Sequence, residues 1–283
     1  VRSRRQRQMC IRDSAVPSSI WVHSACTDHE GRAPGCGPHT FGLLCLICHH
    51  FCCLDPAMNP VVDIENLKVK FGDSWALSGV NLAFDRGSIH ALLGPNGAGK
   101  TTIFKAILGA VDYEGVIRTD PQALGMGHLI EYPAFYARLT VLENMQLSAD
   151  YLGASHDQLP TLLSLVGLDA HMELPCSQTS LGMRQRLGIA RSLIGDPQLL
   201  LLDEPTNGLD PKGIRECREL LKRVRDERNV SIVVSSHNLT EVAALADQLT
   251  FLKAGRIIHS VYGSEGTQQD LEDLYMRLME KGN

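Results

Sequence analysis

A glycine-rich segment, GPNGAGKT at residues 94–101, has the residue types and the spacing needed to bind phosphate groups. It fits the pattern G-x-x-x-x-G-K-[ST], in which glycines let backbone N–H groups approach phosphate oxygens. The pattern predicts that Lys100 reaches the β- and γ-phosphates of a nucleotide and that Thr101 ligates Mg²⁺. A simple tight turn would need neither the lysine nor the hydroxyl group. The predicted nucleotide-binding residues here are Gly94, Pro95, Asn96, Gly97, Ala98, Gly99, Lys100, Thr101 and Thr102.

Two acidic residues end a second segment, LLLLDEP at residues 199–205, about 100 residues downstream of the phosphate-binding pattern. An apolar run followed by acids predicts a buried strand with carboxylates at its end. Asp203 is predicted to hold Mg²⁺, and Glu204 is predicted to orient or deprotonate an attacking water. An isolated acidic pair would fit a solvated strand end equally well. The phosphate-binding pattern upstream favours the catalytic interpretation.

The composition predicts a globular protein with a sizeable core. The 283 residues are 44% hydrophobic and 21% charged, which excludes disordered and collagen-like classes. The 27 Lys and Arg residues are outnumbered by 32 Asp and Glu residues, for a formal net charge of −5. We therefore expect no nucleic-acid partner, because phosphate backbones attract basic surfaces. A membrane-spanning helix needs about 20 mostly apolar residues, and we expect none in this chain.

Residues 1–57 differ from the rest of the chain, because they lack the periodicity of helices or strands. Regular patterning begins at Met58, where we place the boundary of the domain at residues 58–283. The head segment contains CLICHHFCC at residues 45–53, and its CxxC spacing fits a zinc site. A separated second pair of ligands is missing, so a disordered or non-native extension is the favoured interpretation. We expect the chain from Met58 onward to fold and act by itself.

Apolar patterns after Met58 predict alternating strands and helices. Two stretches alternate apolar and polar residues as half-buried strands do, and three short runs are continuously apolar, as is typical of parallel strands covered on both faces. Two other stretches carry apolar residues at helical spacing. This alternation predicts an α/β fold around a mainly parallel sheet. The predicted strands lie within 67–71, 80–84, 89–93, 199–202 and 230–234, and the predicted helices within 102–108 and 214–224.

Three further motifs complete a recognisable set: TSLGMRQRLGIARSL at 179–193, NGLDP at 207–211 and SSHN at 235–238. With the phosphate loop and the acidic pair, in this order, the set resembles the ATP-binding cassette (ABC) ATPases. The resemblance covers about residues 58–260. It implies a P-loop NTPase with a RecA-like core, an N-terminal antiparallel β part, and a helical subdomain inserted at about residues 132–195. It also implies that ATP and Mg²⁺ are the cofactors.

The resemblance assigns two segments to a partner cassette. Ser180, Leu181, Gly182 and Met183 match the signature loop that closes over ATP held by the partner's phosphate loop. The Ser180 hydroxyl also suits a simple N-cap of the following helix, so both roles stay open. Leu181 and Met183 depart from the more common LSGGQ text. Asp210 matches the family's aspartate at the dimer interface.

Three further residues gain a role from the resemblance. His237 matches the switch histidine, which contacts the γ-phosphate and the attacking water. Phe71 matches the aromatic residue that stacks on adenine, although an ordinary place at the end of a strand fits Phe71 nearly as well. Glu131 stands where most cassettes carry the glutamine that touches Mg²⁺ and the water. A carboxylate there can ligate a hard cation but adds negative charge near the γ-phosphate. The predicted catalytic residues are Glu204, His237 and Glu131.

The texts IExPxFYxxLTxxEN at 130–144 and SLGMxQRLGIA at 180–190 resemble the bacitracin-resistance and lantibiotic-immunity branch of ABC exporters. The predicted function is ATP hydrolysis that drives export of a peptide antibiotic or lipid-like substrate through a separate membrane permease. The resemblance also implies a homodimer of cassettes on the cytoplasmic face of the plasma membrane. The alternatives are a soluble ABC ATPase that acts as a non-transport nucleotide switch, and a regulator that binds ATP without hydrolysis. The intact Glu204 and His237 argue against the second alternative.

Overall fold

The computed structural model describes residues 60–120, 125–131, 133–262 and 268–280. These residues belong to one compact unit that spans Met58–Asn283. Two sequence predictions fall outside the described residues. One is the head segment at residues 1–57 with its cysteine-rich stretch, and the other is the start of the helical subdomain at Tyr132.

Strands and helices alternate along most of the described chain. The elements are β1 (Pro60–Phe71), β2 (Ser74–Asp85), β3 (Ile89–Leu93), α1 (Lys100–Ile107), β4 (Glu114–Thr119), β5 (Met126–Leu129), α2 (Val141–Leu152), α3 (Leu159–Leu165), α4 (Leu181–Ser192), β6 (Leu199–Asp203), α5 (Pro211–Arg228), β7 (Ser231–Ser236), α6 (Leu239–Val242), β8 (Gln248–Lys253), β9 (Arg256–Tyr262) and α7 (Gln268–Glu280). Short 3₁₀ turns lie at His156–Gln158, Asp169–His171 and Cys176–Gln178.

The central sheet has six strands in the order β5-β6-β7-β3-β8-β9. Neighbouring strands are parallel except β8 and β9, which are antiparallel. β3, β6 and β7 are buried along their whole length, as continuous apolar runs predict for strands covered on both faces. Alternate residues of β6 enter different cores. Leu200 and Leu202 face the larger one, whereas Leu199 and Leu201 face the smaller one.

A second, three-stranded sheet is antiparallel, with the order β2-β1-β4. Its buried face contributes Leu67, Leu77 and Phe84 to the smaller core, where Ile103 and Phe104 of α1 also pack. This sheet therefore covers one face of the central sheet and lies next to the helix that follows the phosphate loop. It is the antiparallel β part that the family resemblance implied.

Three helices, α2, α3 and α4, lie between β5 and β6 along the chain and supply much of the larger core. α2 begins with a capping box. The Thr140 hydroxyl accepts a hydrogen bond from the N–H of Glu143 at 3.1 Å, and the Glu143 carboxylate accepts one from the N–H of Thr140 at 2.7 Å. Among the helices that the structure describes, none has the length and apolar character needed to cross a membrane.

The fold class is the predicted one, and the element bounds differ in an informative way. α1 begins at Lys100, two residues before the predicted range of 102–108. Its first turn is made of polar residues of the phosphate-binding pattern, so hydrophobic periodicity cannot mark its start. β4 was not predicted, because most of its residues are exposed and it carries little apolar alternation.

Candidate functional site

Three loops meet at one edge of the central sheet because the strands that precede them are neighbours. β6, β7 and β3 are adjacent and parallel, so their carboxyl ends lie at the same edge. The phosphate loop follows β3, Glu204 follows β6, and His237 follows β7. In open α/β sheets, ligands bind at this edge. The topology thus collects residues that are far apart in the sequence.

The path of the phosphate loop requires glycine at two positions. Gly99 has a φ of 108°, and a Cβ atom there would lie 2.6 Å from the Leu77 side chain. A Cβ atom on Gly94 would lie 2.2 Å from the carbonyl oxygen of Leu252. α1 begins directly after Gly99, and the first N–H groups of a helix have no partners within it. The loop and the helix start therefore form a site suited to an anion.

The Lys100 side chain is 6% exposed and lies across the phosphate loop. Its Nζ atom donates hydrogen bonds to the carbonyl oxygens of Gly94 at 2.7 Å and Pro95 at 3.3 Å. It also lies 3.3 Å from Oε1 of Glu204. These oxygens replace the water that a buried ammonium group loses. The loop therefore holds a positive charge at the place where the pattern predicts phosphate.

Thr101 and Asp203, the two predicted magnesium ligands, are in direct contact. The Thr101 hydroxyl donates a hydrogen bond to Oδ2 of Asp203 at 2.6 Å. The hydroxyl of Ser235, at the end of β7, donates to Oδ1 of Asp203 and accepts from the N–H of Glu204 at 2.9 Å. Ser235 is fully buried. It belongs to the SSHN motif at residues 235–238, but no role was predicted for it. The sequence signal that could have indicated a polar contact here is the pair of serines, Ser235 and Ser236, that ends an apolar run.

Glu204 lies between two basic side chains. Its Oε2 atom is 2.9 Å from Nδ1 of His237, and its Oε1 atom faces Lys100 without the geometry of a hydrogen bond. Its backbone has a φ of 49°, in the left-handed region that non-glycine residues seldom adopt. Strain of this kind persists only where surrounding contacts enforce it. The structure therefore places both predicted residues, Glu204 and His237, beside the phosphate loop.

The predicted signature loop lies near the segment that carries Asp210. The Ser180 hydroxyl caps α4 by accepting from the N–H of Met183 at 3.2 Å. A Cβ atom built on Gly182 would lie 3.8 Å from the side chain of Leu209. The Asp210 carboxylate caps α5 through a 2.8 Å hydrogen bond from the N–H of Gly213. The structure brings these two segments of one chain together. The contacts described for them do not include the phosphate loop.

Phe71 ends β1 and is 52% exposed. Val69 and Leu77 pair across β1 and β2, so both lie on one face of the smaller sheet. The register shifts between Val69 and Lys70 because β2 has an extra residue there, Ala76, whereas β1 continues without one. Phe71 therefore shares the face of Val69, since side chains alternate along a strand. Leu77 is also the residue that a Cβ atom on Gly99 would meet. Phe71 therefore lies on the face turned toward the phosphate loop. Lys70 and its partner Trp75, whose ring centroid is 5.7 Å from the lysine Nζ, lie on the opposite face.

Glu131 forms a contact that the sequence did not predict. Oε1 of its carboxylate is 3.0 Å from Nζ of Lys105 on α1, and the Glu131 side chain is 71% exposed. Its φ of 63° places the backbone in the left-handed region. Within the described chain, the structure thus pairs Glu131 with a lysine rather than with Thr101 or Asp203. Lys105 pairs with the carboxylate that distinguishes this position from the glutamine of most cassettes, but solvent screens the pair because the Glu131 side chain is largely exposed.

Two titratable groups behind the site are neutral at physiological pH because they are buried. Burial lowers the pKa of His90, on β3, to about 3. Burial, followed by the charge of Glu241, raises the pKa of the Cys217 thiol on α5 to about 12. The carboxylates and basic groups already described therefore supply the charge at the edge of the sheet.

Comparison with known proteins assigns the family. The model of the ABC transporter family matches residues 77–207. A lantibiotic transport ATP-binding protein of Streptococcus pyogenes, SrtF, is 42% identical over 76% of this chain and 96% of its own length. The chain belongs to the ABC transporter family. A bacitracin transport ATP-binding protein of Bacillus licheniformis, BcrA, is 36% identical over 72% of this chain and 70% of its own length.

A solved ABC structure supports the fold assignment. CbiO1 of Clostridium perfringens, part of the ABC transporter complex cbiONQ, has a TM-score of 0.68 and 26% identity. The likeness covers 78% of this chain and 96% of that structure. These comparisons confirm the predicted ABC ATPase fold and the resemblance to the lantibiotic and bacitracin branch. The protein is an ATP-binding subunit of an ABC transporter and an ATPase coupled to transport. ATP-binding subunits of this kind work with membrane permease partners.

Proposed function

We propose that this ABC subunit binds Mg²⁺-ATP at the phosphate loop and uses its hydrolysis to export a peptide antibiotic through a separate membrane permease. The observation that carries the proposal is the position of the Glu204 carboxylate. It lies between Lys100 and His237, one residue after Asp203. A carboxylate beside a phosphate site is suited to accept a proton from water.

Two residues fit Mg²⁺: Asp203 at the end of β6 and Thr101 at the start of α1. Thr101 and Asp203 offer a hydroxyl and a carboxylate oxygen that already lie 2.6 Å apart. Among the described residues, no group of three or more His, Cys, Asp and Glu side chains forms a metal site. Mg²⁺ does not need such a group, because it keeps several waters and binds one or two protein ligands together with substrate phosphates. When bound, it would neutralise charge on the β- and γ-phosphates.

The side chains of this site divide the reaction between them. Lys100 and the first N–H groups of α1 hold the phosphates. Glu204 orients the attacking water and accepts its proton, and His237 holds the Glu204 carboxylate from the other side. Ser235 fixes Asp203 and the backbone of Glu204 from the interior of the sheet. This arrangement supports in-line attack on the γ-phosphate, since phosphoryl transfer depends mainly on positioning and charge.

We further propose that two copies of the chain pair as a homodimer and bind peripherally at the cytoplasmic face of the plasma membrane. Ser180, Leu181, Gly182 and Met183 would then contact ATP on the partner, and Asp210 would lie at the interface. The start of α4 supports this role, because a helix N-terminus attracts phosphate. Because Gly182 lies close to Leu209, the signature loop and the segment that carries Asp210 can contact a partner through the same surface.

The cargo class follows from the relatives. SrtF is named for lantibiotic transport and BcrA for bacitracin transport. A susceptible bacterium that expresses this chain together with its permease should therefore tolerate a higher concentration of a lantibiotic or of bacitracin. The same cells with Glu204→Gln should be as sensitive as cells that lack the chain. Equal minimum inhibitory concentrations for the parent and Glu204→Gln would contradict ATP-driven export of these peptides.

Glu131 provides a separate test at the magnesium side of the site. If its oxygen ligates Mg²⁺ or orients water during turnover, Glu131→Gln keeps an acceptor and should retain much of the ATPase activity. Glu131→Ala should lose more. A carboxylate near the γ-phosphate also repels ATP unless a cation offsets it, so the activity of the parent should depend more steeply on Mg²⁺ than that of Glu131→Gln. Magnesium titrations of ATPase activity check this, and three superimposable curves would contradict a role for Glu131.

A further inference from the structure

One carboxylate, that of Glu241 on α6, bridges the two loops that carry the proposed catalytic pair. The Thr206 hydroxyl donates a hydrogen bond to Oε2 of Glu241. The Asn238 side-chain amide donates to Oε1 at 3.0 Å. Thr206 lies two residues after Glu204, and Asn238 directly follows His237. Both oxygens of Glu241 therefore hold neutral donors, one from each catalytic loop.

The two donors are themselves held firmly by their loops. Thr206 is 7% exposed, and its carbonyl oxygen accepts a hydrogen bond from the N–H of Leu209 at 3.1 Å. Asn238 caps α6, because its side-chain oxygen accepts from the N–H of Thr240 at 3.0 Å. The Asn238 N–H donates to the Ser236 hydroxyl at 3.0 Å. A shift of Glu241 would therefore move whole turns rather than single side chains.

The chemistry of the bridge requires an acceptor on both sides. A carboxylate accepts at two oxygens, whereas an amide accepts at one and presents N–H donors at the other. Hydrogen bonds to an ionised carboxylate are also stronger than those between neutral groups. Glu241 thus joins two neutral donors in a way that neither alanine nor glutamine fully reproduces.

We propose that Glu241 is a positioning residue that fixes the Glu204 loop against the His237 loop. It acts through Thr206 and Asn238, and the 2.9 Å contact between Glu204 and His237 is what it preserves. This inference rests on the proposed function, in which Glu204 and His237 act on ATP. It predicts an effect on turnover but not on ATP binding, because the contacts described for Glu241 do not include the phosphate loop.

The test compares steady-state ATPase kinetics of full-length variants with Mg²⁺-ATP. Glu241→Ala should lower kcat at least about tenfold with KM changed less than about twofold, since misplaced catalytic groups cost rate rather than binding. Thr206→Val should do the same, whereas Thr206→Ser restores the hydroxyl and should regain most of the parent kcat. Glu241→Gln should fall between the parent and Glu241→Ala. Thr240→Ala, an exposed neighbour on the same helix, is the matched control and should match the parent.

A double variant separates positioning from a general loss of stability. If Glu241 acts through the Thr206 contact, Glu241→Ala combined with Thr206→Val should be little worse than either alone. An unchanged kcat for Glu241→Ala, a parallel change in kcat and KM, or a double variant that shows the product of both losses would overturn the proposal. If Glu241→Ala does not fold, Thr206→Val against Thr206→Ser decides it, and equal kcat values for that pair would overturn the proposal.

The Glu204→Gln variant shows whether a negative result concerns the Glu241 bridge alone or the proposed catalytic site as a whole. If Glu204→Gln stalls hydrolysis while Glu241→Ala keeps the parent kcat, the bridge has no positioning role and the proposed catalytic site stands. Full turnover by Glu204→Gln would instead remove the catalytic assignment on which the bridge depends.

Discussion

Glu204→Gln is expected to lower the kcat of ATP hydrolysis by at least about 100-fold, the scale on which a positioned general base contributes. The amide keeps the size of the side chain and can still contact His237, but it cannot accept a proton from water. ATP binding should persist, because the phosphate loop and Lys100 are untouched. The measurements are the steady-state ATPase rate and the affinity for ATP by calorimetric titration.

The retained affinity gives a second readout for this variant. An ATP-bound subunit that does not hydrolyse should accumulate as a closed dimer, which gel filtration with Mg²⁺-ATP would detect. Glu219→Gln is the matched control, because it removes an exposed carboxylate from α5 away from the catalytic pair. Glu204→Gln with the parent rate would show that another group accepts the proton.

The main elements of the site were predictable because they combine strong local signals with a simple rule of sheets. The continuous apolar run before Gly94 and the run that ends at Asp203 both predict buried strands. The carboxyl ends of adjacent parallel strands lie at one edge, so the loops after them meet there. Chemistry-bearing residues placed just after such strands are therefore brought together by topology alone.

The contacts that refine the site could not be predicted in this way. Ser235 and Glu241 contact partners 32 and 35 residues away in the chain, respectively. The sequence around them has the pattern of an ordinary strand end and an ordinary short helix. Glu131, which pairs with Lys105, has a left-handed backbone, and hydrophobic patterning reveals neither feature. Side-chain hydrogen bonds across loops follow from packing, and packing is not visible in a local pattern.

Strand pairing, which a local pattern does not show, also places Phe71 and Trp75 on different faces of the smaller sheet. Both are exposed aromatic residues at the hairpin that joins β1 to β2. The family resemblance assigned the adenine-stacking role to Phe71 alone, and Trp75 lies four residues further along the chain. Strand register separates them, because Phe71 shares the face of Leu77 whereas Trp75 pairs with Lys70 on the other face. The adenine-stacking role proposed for Phe71 therefore gains support from the pairing of the two strands.

Lys100→Ala is expected to abolish tight nucleotide binding, the opposite pattern to Glu204→Gln. The substitution removes the buried cation from the phosphate loop and leaves the carbonyl oxygens of Gly94 and Pro95 without their donor. Charge-assisted hydrogen bonds to phosphate are stronger than hydrogen bonds between neutral groups. The affinity for ATP should therefore fall by about tenfold to 100-fold. Calorimetric titration with Mg²⁺-ATP measures this loss directly.

Thermal unfolding gives an independent measure of the loss of ATP affinity in Lys100→Ala. A ligand at about 100 times its Kd stabilises a folded protein by about 2.7 kcal/mol, which raises the Tm of a domain of this size by about 5–10 °C. The parent and Lys222→Ala, an exposed lysine on α5, should show this rise with Mg²⁺-ATP. At the same concentration Lys100→Ala should keep about half of this rise after a tenfold loss of affinity and about a sixth of it after a 100-fold loss, measured against its own Tm without nucleotide. A full Tm rise for Lys100→Ala would mean that the helix N-terminus and the glycine loop hold ATP without the lysine.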